Sequence, residues 1–118
     1  MTVRRLVLVA AMAMAACAPA AHPSPVATTT VDLPRSYRFE PAVIDIPLGA
    51  TVTWTNSDNF THSVQLDGDP APGTVIAPGE SAVRTFDRPG TFAYLCAFHP
   101  QDMHGTVLVT TAPGSEKP

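Results

Sequence analysis

At 118 residues the chain has room for one domain of ordinary size and not for two. Only 14% of it is charged, and seven lysines and arginines stand against ten acids for a formal net charge of −3. With no basic stripe or patch, that balance argues against nucleic acid as a partner, because gripping a phosphate backbone needs a concentrated positive face.

The first seventeen residues, "MTVRRLVLVAAMAMAAC", combine two arginines with an apolar run too short to cross a bilayer comfortably and a small-residue end. Residues 1–17 are therefore predicted to be an export signal. The last steps before Cys17, Met14, Ala15 and Ala16, resemble the lipobox of bacterial lipoproteins, with Met14 where leucine is commoner. The resemblance implies lipidation of Cys17 and attachment to the outer face of a membrane; ordinary cleavage further on, near "APAA", is the alternative. Either outcome separates Cys17 from Cys96, so the two cysteines are not expected to pair, although an exported compartment permits disulfides. Loss of Arg4 and Arg5 with the signal leaves five of the seven basic residues against all ten acids. Residues 18–30, "APAAHPSPVATTT", lack a hydrophobic period and read as a tether, which assigns His22 no role. The tail, 112–118, reads likewise. Residues 31–111 remain as the folded domain, a small one for a stable core without a staple.

From Tyr37 onward, short runs rich in Val, Thr, Ile and aromatics alternate with turn residues. "AVIDIP", "TVTWTN", "HSVQLD", "SAVRTF", "TFAYLC" and "GTVLVT" are predicted strands, separated by "PLGA", "DGDPAPG", "APGE" and "DRPG". No window sustains a helical period. The expected fold is all-β, a Greek-key sandwich or barrel of about seven or eight strands. Alternation puts Val52 and Trp54 on one face of their strand, and Phe92, Tyr94 and Cys96 together on one face of theirs. If Phe92 points inward, the Cys96 sulfur lies at the rim of the core.

Cys96, His99 and Met103 follow in the spacing Cys-x2-His-x3-Met, and His62 opens another strand after the loop "NSDNF". Singly, each has a plain structural reading: a hydrogen-bonded histidine, a small buried hydrophobe, a core filler. Together they offer two imidazoles, one thiolate and one thioether, the donor set of an electron-transferring copper site with a trigonal His, His, Cys plane and a weak axial Met. Zinc would accept Cys and His but seldom uses Met.

These residues carry a family resemblance. The stretch from Tyr37 to Val109 resembles a cupredoxin of the plastocyanin and amicyanin group. "G-x-T-V-x-W-x-N" runs from Gly49 to Asn56 ahead of His62, and "G-x-F-x-Y-x-C-x-x-H-P" runs from Gly90 to Pro100 ahead of Met103, one residue and Gly105. The resemblance implies a type 1 copper ion held by His62, Cys96, His99 and Met103. The spacer Pro100, Gln101 and Asp102 is shorter than is usual in plastocyanins and longer than in amicyanins, which leaves His104 as a competitor to Met103 for the axial place. It also implies a polar residue, Asn56 or Ser57, tying the two ligand loops together, with a backbone N–H near Thr61 donating to the sulfur. The edge of His99 is expected to emerge through an apolar patch of Ala97, Phe98 and Pro100, with Asp58 and Asp102 steering a basic partner.

The function expected is an exported, monomeric blue copper protein that carries single electrons between protein redox partners, oxidoreductases or cytochromes, and is not itself an enzyme. Copper delivery at the cell surface is the alternative, weakened by Met103 being the only methionine outside the signal. An enzyme would need an open copper position, and a metal-free interaction module would not need this donor set.

Overall fold

The computed structural model describes residues 23–111, in which all regular structure is β. The predicted signal, Cys17, His22 and the tail 112–118 lie outside the described residues. Nine strands follow in order: β1 Val26–Ala27, β2 Thr30–Leu33, β3 Val43–Pro47, β4 Thr51–Asn56, β5 His62–Leu66, β6 Thr74–Ile76, β7 Ser81–Thr85, β8 Gly90–Leu95 and β9 His104–Thr110. They form a six-stranded sheet in the order β1-β3-β9-β8-β5-β6 and a three-stranded sheet in the order β2-β4-β7. Both sheets mix parallel and antiparallel pairs: β3 runs parallel to β9 and β2 to β4, whereas β8 is antiparallel to β5 and β9, and β7 to β4. This arrangement fits the expected Greek-key sandwich.

Nine strands stand among the described residues, close to the seven or eight expected. The end of the stretch read as a tether, 18–30, takes part in the sheets, because Val26 and Ala27 pair with Ile44 and Asp45 and Thr30 pairs with Thr53. Local composition makes "VATTT" look like spacer, but valine and threonine are good strand residues once a neighbouring strand supplies hydrogen bonds. Between β1 and β2 the chain passes from the large sheet to the small one, so this short arm joins both.

Alternation does the sorting. Val31 and Leu33 of β2, Ile44 and Ile46 of β3, Val52 and Trp54 of β4 and Val107 and Val109 of β9 are all buried, each pair separated by one residue pointing the other way. Tyr94 and Cys96 are buried and Phe92 partly so, as the pattern of "TFAYLC" requires. Tyr94 packs edge-on against Phe39 and Trp54, with ring centroids 4.7 and 5.5 Å away. Burial pushes its phenol up to about 12, with the Trp54 indole acting weakly in the opposite direction. The phenol therefore stays neutral beneath the end of the sandwich where the candidate ligands lie.

Gly105 makes this packing possible. It sits opposite Tyr94 in the β8–β9 pairing, and a Cβ there would overlap the end of the Tyr94 ring at Cζ and the hydroxyl. The phenol ring is wedged between Phe39 and Trp54 and has little room to retreat. Gly105→Ala is expected to destabilise the domain by about 1–3 kcal/mol, which thermal unfolding would read as a fall of roughly 4–8 °C for each kcal/mol. An unchanged midpoint would show that Tyr94 is free to move.

Candidate metal centre

Three strand ends meet at one end of the sandwich. β5 begins at His62, β8 ends at Leu95 immediately before Cys96, and β9 begins at His104 immediately after Met103. The antiparallel pairing of Gln65 with Leu95 and Leu66 with Tyr94 brings the start of β5 beside the end of β8. Topology thus places His62 next to Cys96 across 34 residues of sequence, with Cys96 Sγ 3.7 Å from His62 Nδ1.

The sulfur is fully buried and its cysteine is free. Ser63 N–H donates to Cys96 Sγ at 3.3 Å, and Ser63 Oγ accepts from Ala97 N–H at 2.9 Å. One residue on β5 therefore supports both the thiol and the loop that follows it. That loop closes on itself: His99 N–H donates to Cys96 O, Met103 N–H to His99 O and Cys96 N–H to Met103 O, at 3.1, 3.0 and 3.1 Å. Met103 is fully buried, whereas His104 is exposed on the opposite side of the chain. Between the two competitors for the axial position, only Met103 turns towards the interior.

His62 is also fully buried, and its far nitrogen is occupied: Nε2 lies 2.8 Å from Asp58 Oδ2. The hydrogen bond from His62 holds the Asp58 carboxyl below the ordinary carboxylate range, aided by Asn59 N–H and opposed by burial. An ionised carboxylate only accepts, so Nε2 carries a proton, and Nδ1 is the nitrogen turned towards the sulfur. Asp58 corrects an expectation, for it was read as a surface charge that steers a partner and is instead buried against a candidate ligand. Asp102 is exposed, as expected.

The loop between β4 and β5 is braced by Asn56. Its Nδ2 donates to Phe60 O at 2.7 Å and Ile76 O at 2.9 Å, and its Oδ1 accepts from Asp58 N–H at 2.9 Å. Asn56 therefore stiffens its own loop and ties it to β6, and Ser57 Oγ donates to Asp32. Neither ties the two ligand loops together; Ser63 does, and it was missed because a serine beside a histidine has no distinguishing local pattern.

The ring of His99 is half-buried, 5.4 Å from the His62 ring and 4.4 Å from that of Tyr37. Tyr37 reaches it from the β2–β3 connection, where Ser36 and Tyr37 have φ of 91° and 52°, a left-handed conformation uncommon for residues other than glycine. Tyr37 also stacks on Phe60 at 6.1 Å, and with Phe98 these rings make an exposed aromatic surface around His99. Nothing in the local sequence marked Tyr37, which lies 25 residues ahead of His62 and outside every motif.

The four predicted residues are thus gathered at one end of the fold, with His62 and Cys96 in contact. No three His, Cys, Asp or Glu side chains among the described residues close into a ready cage on their own. What the site offers is a dry thiol supported by an amide, an imidazole nitrogen facing it, a second imidazole and a buried thioether, a donor chemistry that fits copper better than hard cations.

A family model described as "Cupredoxin-like domain" matches residues 5–109. The chain belongs to this cupredoxin-like family. It is 37% identical over 83 residues to plastocyanin of Scenedesmus fuscus, covering 60% of this chain and 85% of that protein. Its fold is similar to that of the reduced state of an amicyanin variant, with a TM-score of 0.63 and 28% identity over 75% of this chain and 94% of that one. A copper-containing nitrite reductase from Thermus scotoductus is 31% identical with a TM-score of 0.61; the match covers 83% of this chain but only 25% of the reductase. The cupredoxin-like domain is shared between small proteins and a part of a larger enzyme.

Two outcomes test the supports of the site. Ser63→Ala leaves the Ala97 N–H without its acceptor and is expected to destabilise the apoprotein by about 1–3 kcal/mol while speeding hydrogen exchange at Ala97; exchange no faster than in the parent would remove Ser63 from the role. For Asp58 the sign follows from a lowered native pKa: its contribution is whole above the unfolded value and is lost as pH falls through the native one. Urea midpoints should therefore fall below about pH 4, and less steeply in Asp58→Asn.

Proposed function

We propose that this chain is a type 1 blue copper protein that passes single electrons between protein partners outside the cytoplasm. The contact of Cys96 Sγ with His62 Nδ1 at 3.7 Å, made on a sulfur that already accepts a backbone N–H, is the observation that carries the reading. His62, Cys96 and His99 would hold the ion, with Met103 as the weak fourth donor. Copper supplies the Cu(II)/Cu(I) couple, and the protein does the rest.

Cys96 and His62 are set in place by hydrogen bonds that do not involve a metal, so little need move when the charge at the site changes. Leu33, Phe39 and Tyr94 belong to the buried core against which the thiol and thioether pack, and this core excludes water. The half-buried His99, ringed by Tyr37, Phe60 and Phe98, supplies the route by which an electron reaches a docked partner. An apolar docking face of this kind favours brief contacts, and the exposed Asp102 adds a weak preference for basic partners. A monomer suffices for all of this, and a lipid on Cys17 with the preceding signal would hold it at the outer face of a membrane. As a carrier, the chain needs no open metal position.

The test is the visible absorption and EPR spectrum of the exported domain loaded with Cu(II). An intense thiolate-to-copper band with narrow hyperfine splitting is expected, lost in Cys96→Ser without loss of the fold; an equally intense band in that variant would exclude the thiol. Met103→Gln should keep copper with an altered spectrum and potential.

A further inference from the structure

Asp58 is the only acid buried among the described residues, with its side chain 5% exposed, and its partner is His62, whose side chain is 0% exposed. The carboxylate is held from both sides. Oδ2 meets His62 Nε2 at 2.8 Å, Oδ1 accepts from Asn59 N–H at 2.7 Å, and the Asp58 N–H donates to Asn56 Oδ1. Asn56 in turn is bonded to Phe60 O and Ile76 O. Swinging the carboxylate away would break its bonds to His62 and Asn59 N–H, while Asn56 holds the backbone that carries it.

Two consequences follow from chemistry. A fixed acceptor at Nε2 selects the tautomer and the ring angle that aim Nδ1 at the sulfur before any metal arrives. A negative charge one imidazole away from the metal position, in a site shielded from water, also favours the more positive of two oxidation states. We propose that Asp58 is a positioning residue that presets His62 and biases the bound ion towards Cu(II), lowering the reduction potential below that of the same site with a neutral partner. The proposal rests on the copper reading above. Among the described residues no other acid is buried beside His62, and Asp102 on the neighbouring loop faces solvent.

Asp58→Asn is the informative variant, because it removes the charge and keeps one oxygen to accept Nε2–H, giving up the hydrogen bond from Asn59 N–H. In a redox titration against an external one-electron mediator, the ratio of Cu(I) to Cu(II) affinity should rise about tenfold, an upward shift of about 59 mV for a one-electron couple. Nitrogen NMR of the metal-free protein at neutral pH gives a second readout that needs no copper: in the parent His62 should carry its proton on Nε2, and Asp58→Ala should mix the tautomers. A parent blue band with an unmoved potential in folded Asp58→Asn would overturn the proposal alone, as would a proton on Nδ1 in the parent. A parent protein with no thiolate-to-copper band would overturn the copper reading and the bias with it.

Discussion

The sulfur of Cys96 is where the two halves of the chain are joined chemically. It ends β8, but what supports it comes from β5: the Ser63 N–H on the sulfur and the Ser63 hydroxyl on the next amide. A buried thiol can be a small hydrophobe and nothing more. Here its surroundings are polar in one direction only, towards His62 and Ser63, while the rest of its shell is core. That asymmetry makes a dry pocket of donors with an imidazole nitrogen beside the sulfur, and the antiparallel pairing of β5 with β8 is what creates it.

Rigidity at the site is then inherited from the sandwich. His62 and Ser63 are strand residues, and Cys96 and Met103 flank strands directly, so four neighbouring positions owe their placement to the same sheet. The one loop that has to bend, from Ala97 to Met103, is closed by four backbone hydrogen bonds of its own. A site built on strands and short closed loops is held more precisely than one on free loops. For an electron carrier that is the useful property, because rearrangement of ligands is what slows the transfer.

Much of this was legible in the sequence, for identifiable reasons. Alternation in "TVTWTN" and "TFAYLC" gave the inward faces because one side of each strand meets a dry core. The spacing of Cys96, His99 and Met103 marked that loop as the candidate metal loop because soft donors crowded at a strand end have no common structural purpose. What escaped was set by pairing rather than by pattern. The arm from Val26 to Leu33 becomes sheet only because β3 and β4 are there to receive it. Asp58 reads as one more surface acid until the loop folds it under His62, and Tyr37 acquires a partner only when a left-handed turn swings its ring onto His99.

Asp58 and Tyr37 act on the two imidazoles in opposite ways. His62 is buried, anchored at Nε2 by a charge and closed to solvent; His99 is half-buried and touched by aromatic rings that are themselves exposed. One histidine faces inward and feels a fixed field, while the other faces outward and meets whatever docks. Backbone strain at Ser36 and Tyr37 persists where the surrounding structure imposes it, and such strain concentrates at functional positions. The tilted packing of Tyr37 on His99 is the local gain set against that strain, and it widens the apolar surface around the outward histidine. On the proposed copper reading the site would divide its labour: the inner histidine would govern how readily an electron is held, and the outer one where it can leave.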